Sequence, residues 1–390
     1  MKILLPLLVC TTIAIPIVAS GASGANDKTP NNAAPAAHKQ TQAKQQTVEV
    51  VFVLDTTGSM GGLLEGAKNK IWHIANEIQN AKSDVNVRMG LIAYRDRGDV
   101  YVTKHFPISS DIHQIYADLI EFRAAGGGDA PESVNQALSE AVTQLNWSQA
   151  DDTLRIIFLV GDAPPKMNYS DDMKYTQTVK IAKRKDIIIN TILAGNSQRT
   201  KKIWQEIAQN ANGAFSQIAQ DGNVTIIKTP YDEQIHQLNI ELNATIILYG
   251  DKKVKQQASK VMKSMARAAP AASSDMASYN AKRLTKSQVF SGKGDLLQEL
   301  ELNRATIDNL ILEELPKIMQ AMDDAQRQTY IAEMQTKRTD IQQQIDELVK
   351  QRAVYKADEI GRLSAQDQNS FDANLMKIIK QQAALKNIKY

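Results

Sequence analysis

The sequence predicts an α/β protein: a doubly wound, mostly parallel sheet with one antiparallel edge strand, followed by an all-helical C-terminal region. Three observations lead there. Between residues 47 and 250, short β-branched runs alternate with stretches whose apolar residues recur at helical spacing. All but one of the strand-to-strand links are long enough to hold a crossover helix, the mark of parallel pairing. Beyond residue 295 the strand-like runs stop and only helical spacing continues.

At the N-terminus, Met1-Lys2 precedes an apolar run from Ile3 to Val18 and then the small residues Ala19 to Ala25, the pattern of a secretory signal peptide over residues 1–25. The run contains Pro6 and Pro16 and is shorter than the roughly 20 residues that span a bilayer, so a cleaved leader is favoured over an uncleaved membrane tether. Leu7-Leu8-Val9 lacks the small residues that lipoprotein processing wants before Cys10. That cysteine is the only one in the chain, so cleavage removes disulfide and thiol chemistry altogether. Residues 26–46, rich in Ala, Asn, Gln and Lys, have no apolar periodicity and read as a flexible linker.

Val48 to Leu54 is a nearly continuous β-branched run, as expected of a central strand covered on both faces. Leu63, Leu64, Ala67, Ile71, Ile74, Ala75 and Ile78 then repeat at helical spacing. A second strand is expected over Val87 to Tyr94 and a third over Val100 to Phe106, joined by the turn Arg95-Asp96-Arg97-Gly98-Asp99, too short for anything but an antiparallel pair. Helices are expected near Ser110 to Phe122 and Glu132 to Leu145. The strand Leu154 to Val160, a helix from Met173 to Lys185, the strand Ile187 to Leu193, a helix to about Asn212, a short strand Phe215 to Ile218 and a helix from Asp232 to Leu248 complete a domain over 47–250.

Residues 251–295, interrupted by the Ala/Ser stretch Ala268 to Ser274, read as a linker or irregular helical segment. Residues 296–390 read as a helical hairpin or coiled-coil region, with Met334, Arg338, Ile341, Ile345, Leu348, Arg352 and Tyr355 on one seam and a last helix carrying Phe371, Leu375, Ile378 and Ile379. Two readings of that seam stand: it packs within the chain, or it makes a homo-oligomer. Two of its positions are arginine.

Composition sets limits on function. Hydrophobic residues at 43%, charged residues at 23% and a net charge of +3 describe a globular chain, and no basic run with interleaved aromatics points to nucleic acid. No P-loop and no G-x-S-x-G is present, and the five histidines have no metal-ligand spacing. Arg97-Gly98-Asp99 is an integrin-recognition tripeptide, but turn chemistry explains it.

In an open α/β sheet, ligands bind beyond the carboxyl ends of the strands. The first strand ends in Asp55-Thr56-Thr57-Gly58-Ser59, which lets a carboxylate and two hydroxyls converge, and the strand Leu154 to Val160 ends in Gly161-Asp162. Such oxygen donors suit a hard divalent cation. The D-x-[ST]-x-S pattern at Asp55, Thr57 and Ser59, with a glycine-rich second loop and the later Asp162, resembles the metal-ion-dependent adhesion site of von Willebrand factor type A domains, with Thr57 where Ser is usual. The resemblance spans about residues 47–250. It implies Mg2+ (or Mn2+/Ca2+) as cofactor, and a protein partner whose exposed Asp or Glu completes the coordination.

One departure stands out. Where that family offers a Thr from its second loop, this chain has Gly126-Gly127-Gly128-Asp129-Ala130-Pro131-Glu132. Asp129 is either a metal ligand or, with Glu132, a helix capping box. The expected function is therefore an exported binding module, periplasmic or extracellular, and not an enzyme. Two alternatives remain: a scaffold acting through its C-terminal helices beside a vestigial metal site, and a metal-assisted phosphohydrolase. The second lacks the carboxylate such enzymes want two residues after the first, because Thr57 stands there.

Overall fold

Ten residues, Gln46–Asp55, form the strand β1, and the last eight of them are buried, as a run without polar alternation requires. The structure is a computed structural model that describes residues 46–390 apart from 83–84, 129–130, 223–225, 286–287 and 363–370. The expected leader, and the expected linker up to residue 45, lie outside the described residues. After β1 come α1 (Gly61–Gln79), β2 (Val85–Tyr94), β3 (Thr103–Ser109), α2 (Ile112–Leu119), α3 (Val134–Thr143), β4 (Leu154–Gly161), α4 (Tyr175–Arg184), β5 (Ile187–Ala194), α5 (Gln198–Asn210), β6 (Phe215–Ile218) and α6 (Asp232–Asn243). The six strands form one sheet in the order β3-β2-β1-β4-β5-β6. Only the β2–β3 pair is antiparallel, and β3 is an edge, as the short turn requires. That strand starts at Thr103 instead of Val100, whose side chain is 90% exposed, because the chain first folds over the end of the sheet.

Alternation along β1 divides two apolar layers. Val50, Phe52 and Leu54 pack with Leu63, Ile71, Ile74 and Ile115 of α1 and α2, whereas Val51 and Val53 pack with Leu138, Val142 and Val179 of α3 and α4.

The segment expected as a linker or irregular helical stretch holds two regular helices, α7 (Lys252–Ala266) and α8 (Pro270–Arg283). Asp251 caps the first by accepting from the Val254 backbone N–H at 2.8 Å, and Pro270 opens the second. The Ala/Ser stretch that reads as a breaker is the close-packed first part of α8. Its small side chains let the backbone approach α6 and α1, where Asn239 donates to the Ser273 carbonyl at 3.0 Å and Asn76 to that of Asp275 at 2.6 Å.

Two short helices, α9 (Leu296–Glu301) and α10 (Lys317–Gln320), precede α11 (Asp324–Ile360) and α12 (Phe371–Ala383). A capping box closes the start of α11: Asp323 accepts from the Gln326 N–H, and the Gln326 side chain bonds back to the Asp323 N–H. Its seam lies along α6 and α8 of the same chain, with Arg338, Ile341, Ile345 and Arg352 buried. The two arginines meet acids there. Arg352 bonds Asp232 of α6 and Asp275 of α8, both at 2.7 Å, and Arg338 bonds Asp295 at 2.6 Å. Among the described residues, no helix is long and apolar enough to cross a membrane.

Candidate metal centre at the carboxyl edge of the sheet

The chain leaves β1 toward β2 on one side, while β4 lies on the other, so the loops after β1 and β4 diverge and leave a crevice between them. Leu54 pairs with Val160 in parallel register, so Asp55 and Asp162 emerge on neighbouring strands at the same edge. Gly161 keeps that edge open. A Cβ there would come within 2.5 Å of the Tyr94 hydroxyl and 3.0 Å of the Asp55 Cβ.

Asp55 is 2% exposed. Its Oδ1 accepts from the Thr57 backbone N–H at 2.9 Å and from the Thr57 hydroxyl at 2.6 Å, and that hydroxyl lies 3.4 Å from the Ser59 Oγ. The carboxylate and two hydroxyls expected to converge therefore do so, with Thr57 buried and Ser59 at the surface. A short 3-10 turn, Gly58–Met60, carries Ser59 into α1. The Asp55 Oδ2 is buried with no hydrogen-bond partner among the described residues.

The glycine-rich loop comes up against this turn. Gly127 has a φ of +78°, and a Cβ on it would lie 2.9 Å from the Thr57 Cβ and 3.2 Å from the Glu132 Oε1. Asp129 lies outside the described residues. The expected capping box, however, does not match the helix that forms. α3 begins at Val134 and its N-cap is Ser133, whose hydroxyl goes to Asp96 at 2.8 Å. Glu132 thus precedes the helix and bridges to Pro165 through its backbone. Its side chain, like that of Thr57, lies against Gly127, the residue is 4% exposed, and Oε2 has no partner among the described residues. Sequence reasoning assigned Glu132 to a cap and missed it here.

Asp162 is half-buried, and its Oδ2 accepts from the Gln220 amide at 2.8 Å. The Arg97-Gly98-Asp99 tripeptide is engaged internally: Arg97 pairs with Asp171 and Asp172 and lies over the Tyr169 ring, while Asp99 accepts from the Gly127 N–H at 3.2 Å. His113, among the histidines, is buried against Trp72, and burial pushes its pKa down to about 3.

Charge is poorly balanced at the edge. Burial, with Asp162 adding to it, pushes Asp55 up to about 7 against the bonds from Thr57, and burial followed by the nearby Asp55 pushes Glu132 up to about 8. The nearest counter-charge is Arg95, whose guanidinium is spent on the Thr56 and Arg123 carbonyls at 3.2 and 2.7 Å. Two buried carboxylates with oxygens unpartnered among the described residues, beside two hydroxyls, fit the donor set of a hard divalent cation. Among the described residues no group of three or more His, Cys, Asp and Glu comes together that could hold a metal ion; Thr57 and Ser59 are the further oxygen donors at this edge.

The sequence model of the von Willebrand factor A domain matches residues 49–230. The chain contains a von Willebrand factor A domain. Von Willebrand factor A domain-containing protein 7 of Homo sapiens is 35% identical over 117 residues, 30% of this chain and 12% of that protein. The alpha-protein kinase vwkA of Dictyostelium discoideum is 27% identical over 121 residues, 30% of this chain and 19% of the kinase. The chain thus spans less than a fifth of either relative. Proximal thread matrix protein 1 from the mussel byssus aligns over 45% of this chain and 43% of its own, at 13% identity and a TM-score of 0.35. The A domain runs from β1 to the loop before α6, and everything that follows α6 lies outside the family match.

Proposed function

We propose that the A domain is a divalent-metal-dependent protein-binding module, exported by its N-terminal leader, and not an enzyme. The observation that carries this reading is the Oδ2 of Asp55, buried at the crevice without a hydrogen-bond partner among the described residues. Asp55, Thr57, Ser59 and Glu132 are the donors that would hold the cation, with Asp162 across from them. Once bound, Mg2+, Mn2+ or Ca2+ supplies a Lewis-acidic position that an Asp or Glu of a partner protein fills. The protein's own part is to hold the donors in place beforehand. Thr57 orients Asp55 through two bonds, and Gly127, lacking a Cβ, leaves room for both Thr57 and the Glu132 carboxylate.

Calorimetry of Mg2+ and Mn2+ on wild type beside Asp55→Ala tests the first step: binding is expected in wild type and absent in the variant, and no binding to wild type sinks the reading. The partner step is read on the Mn2+-loaded protein by water-proton relaxivity. A short peptide with one Glu is expected to displace a metal-bound water, whereas the Gln version leaves the signal unchanged; equal effects of both peptides would count against an acidic partner.

Glu132→Gln keeps the shape and removes the charge. It is expected to weaken Mn2+ binding by about tenfold or more without lowering the metal-free melting temperature, since the carboxyl it replaces is held above its ordinary pKa by burial. Unchanged affinity would remove Glu132 from the donor set.

A further inference from the structure

Gln220 stands in the turn that follows β6, three strands along the sheet from β1 and its Asp55 turn. Its amide nitrogen donates to the Asp162 Oδ2 at 2.8 Å and to the Ser59 carbonyl oxygen at 3.2 Å. A single NH2 group thus ties the loop after β1 to the loop after β4, the two walls of the crevice. On its other side the Gln220 Oε1 lies against Gly195, which has a φ of +82° and no room for a Cβ.

The turn carrying Gln220 is itself held at both ends. The neighbouring Asp221 packs on Gly62 at the start of α1, where a Cβ would lie 3.1 Å from the Asp221 Cα. The Gly222 carbonyl accepts from the backbone N–H of Phe371, the first residue of α12, at 3.2 Å. Phe371 is 1% exposed and lies among Phe52, Leu54, Ile71 and Ile115 between the sheet, α1 and α2. The tail helix therefore braces the turn from which Gln220 reaches over the crevice, although that helix lies outside the family match.

We propose that Gln220 is a positioning residue of the candidate metal centre, orienting Asp162 and fixing the separation of its loop from the one that carries Asp55, Thr57 and Ser59. The assignment rests on the metal-dependent reading above. A carboxylate facing a cation keeps one useful orientation only if its other oxygen is engaged, and loss of such an outer partner commonly weakens metal binding by about 10–100-fold. Gln220 fits that role because its amide supplies the bond without adding charge.

The test is Mn2+ calorimetry on the full chain for wild type, Asp55→Ala, Gln220→Ala and Gln220→Leu, with the metal-free melting temperature of each. Leucine keeps the bulk of Gln220 and removes its donor. Both Gln220 variants are expected to bind Mn2+ about 10–100-fold more weakly than wild type, with melting temperatures within about 2 °C of it, because the side chain is exposed and buries little. Wild-type affinity in Gln220→Leu overturns the proposal, and so does a weakened affinity that comes with a large fall in melting temperature, which marks a general structural role. If wild type itself binds no Mn2+, the metal-dependent reading falls and takes this proposal with it. If wild type binds, Asp55→Ala does not and Gln220→Leu matches wild type, only the role of Gln220 is lost.

Discussion

Replacing Arg338 with alanine is expected to lower the unfolding free energy by about 3–5 kcal/mol, the usual cost of stranding one member of a buried ion pair. Arg338 is 1% exposed and its partner Asp295 is fully buried. The guanidinium donates to both Asp295 oxygens, at 2.6 and 3.3 Å, and to the Thr245 hydroxyl and carbonyl at 2.9 and 2.8 Å. Asp295 also accepts from the Ile247 N–H at 3.2 Å, so the pair sits where α11 crosses the segment that follows α6. Burial already holds the Asp295 pKa above its ordinary value despite the arginine. Without Arg338 the carboxylate would have no counter-charge among the described residues. Urea unfolding of Arg338→Ala, beside Arg338→Met combined with Asp295→Asn, checks this. The double variant is expected to recover much of the loss, since removing both charges strands neither. A cost below about 1 kcal/mol for the single variant would mean that α11 is held by its apolar seam alone.

Asp55→Asn is expected to act in the opposite direction on the metal-free protein, stabilising it while abolishing metal binding. The folded pKa of Asp55 is about 7 against an ordinary 3.8, so the folded state binds the proton more tightly than the unfolded state does. The stability contributed by that proton is fully present below about pH 4 and is lost as pH rises toward 7; above that the buried charge costs a constant amount. At about 1.4 kcal/mol per pH unit the full difference is on the order of 4 kcal/mol as an upper bound. Melting temperatures from pH 4 to pH 8.5 should therefore show wild type falling away from Asp55→Asn up to about pH 7 and running parallel to it above. Adding Mn2+ at pH 8 should raise wild type and leave the variant unmoved. Parallel curves over the whole range would show that Asp55 is not strained by its burial, and would weaken the case that a cation belongs beside it.

Much of the fold was legible because its signals are local. The β-branched run at Val48 to Leu54 can be covered on both faces only in the middle of a sheet, and the turn at 95–99 leaves β3 no choice but to run antiparallel. Asp55, Thr57 and Ser59 were legible as a group because alternate positions in one tight turn converge whatever surrounds them. Asp162 was legible from its place after a buried strand. The Ala/Ser stretch at 268–274 was misread, because small residues look like a break until a partner helix is known to lie within touching distance. Glu132 was misread for a related reason: D-x-x-E ahead of a helical pattern satisfies the capping rule, and only the start of α3 at Val134 shows that the glutamate lies outside the helix, against Gly127.

Local patterning, then, specified the order of strands and helices, the antiparallel edge and the chemistry at the end of β1, since apolar period, turn length and donor spacing are properties of neighbouring residues. Tertiary structure decided where the tail goes and what surrounds the crevice. The arginines at 338 and 352 look like defects in an apolar seam until Asp295, Asp232 and Asp275 are brought against them from other elements. Gln220 is an ordinary surface glutamine until the sheet places its turn beside Ser59 and Asp162. Each depends on partners distant along the chain, and whether a polar group is stranded or satisfied is settled only when those partners arrive.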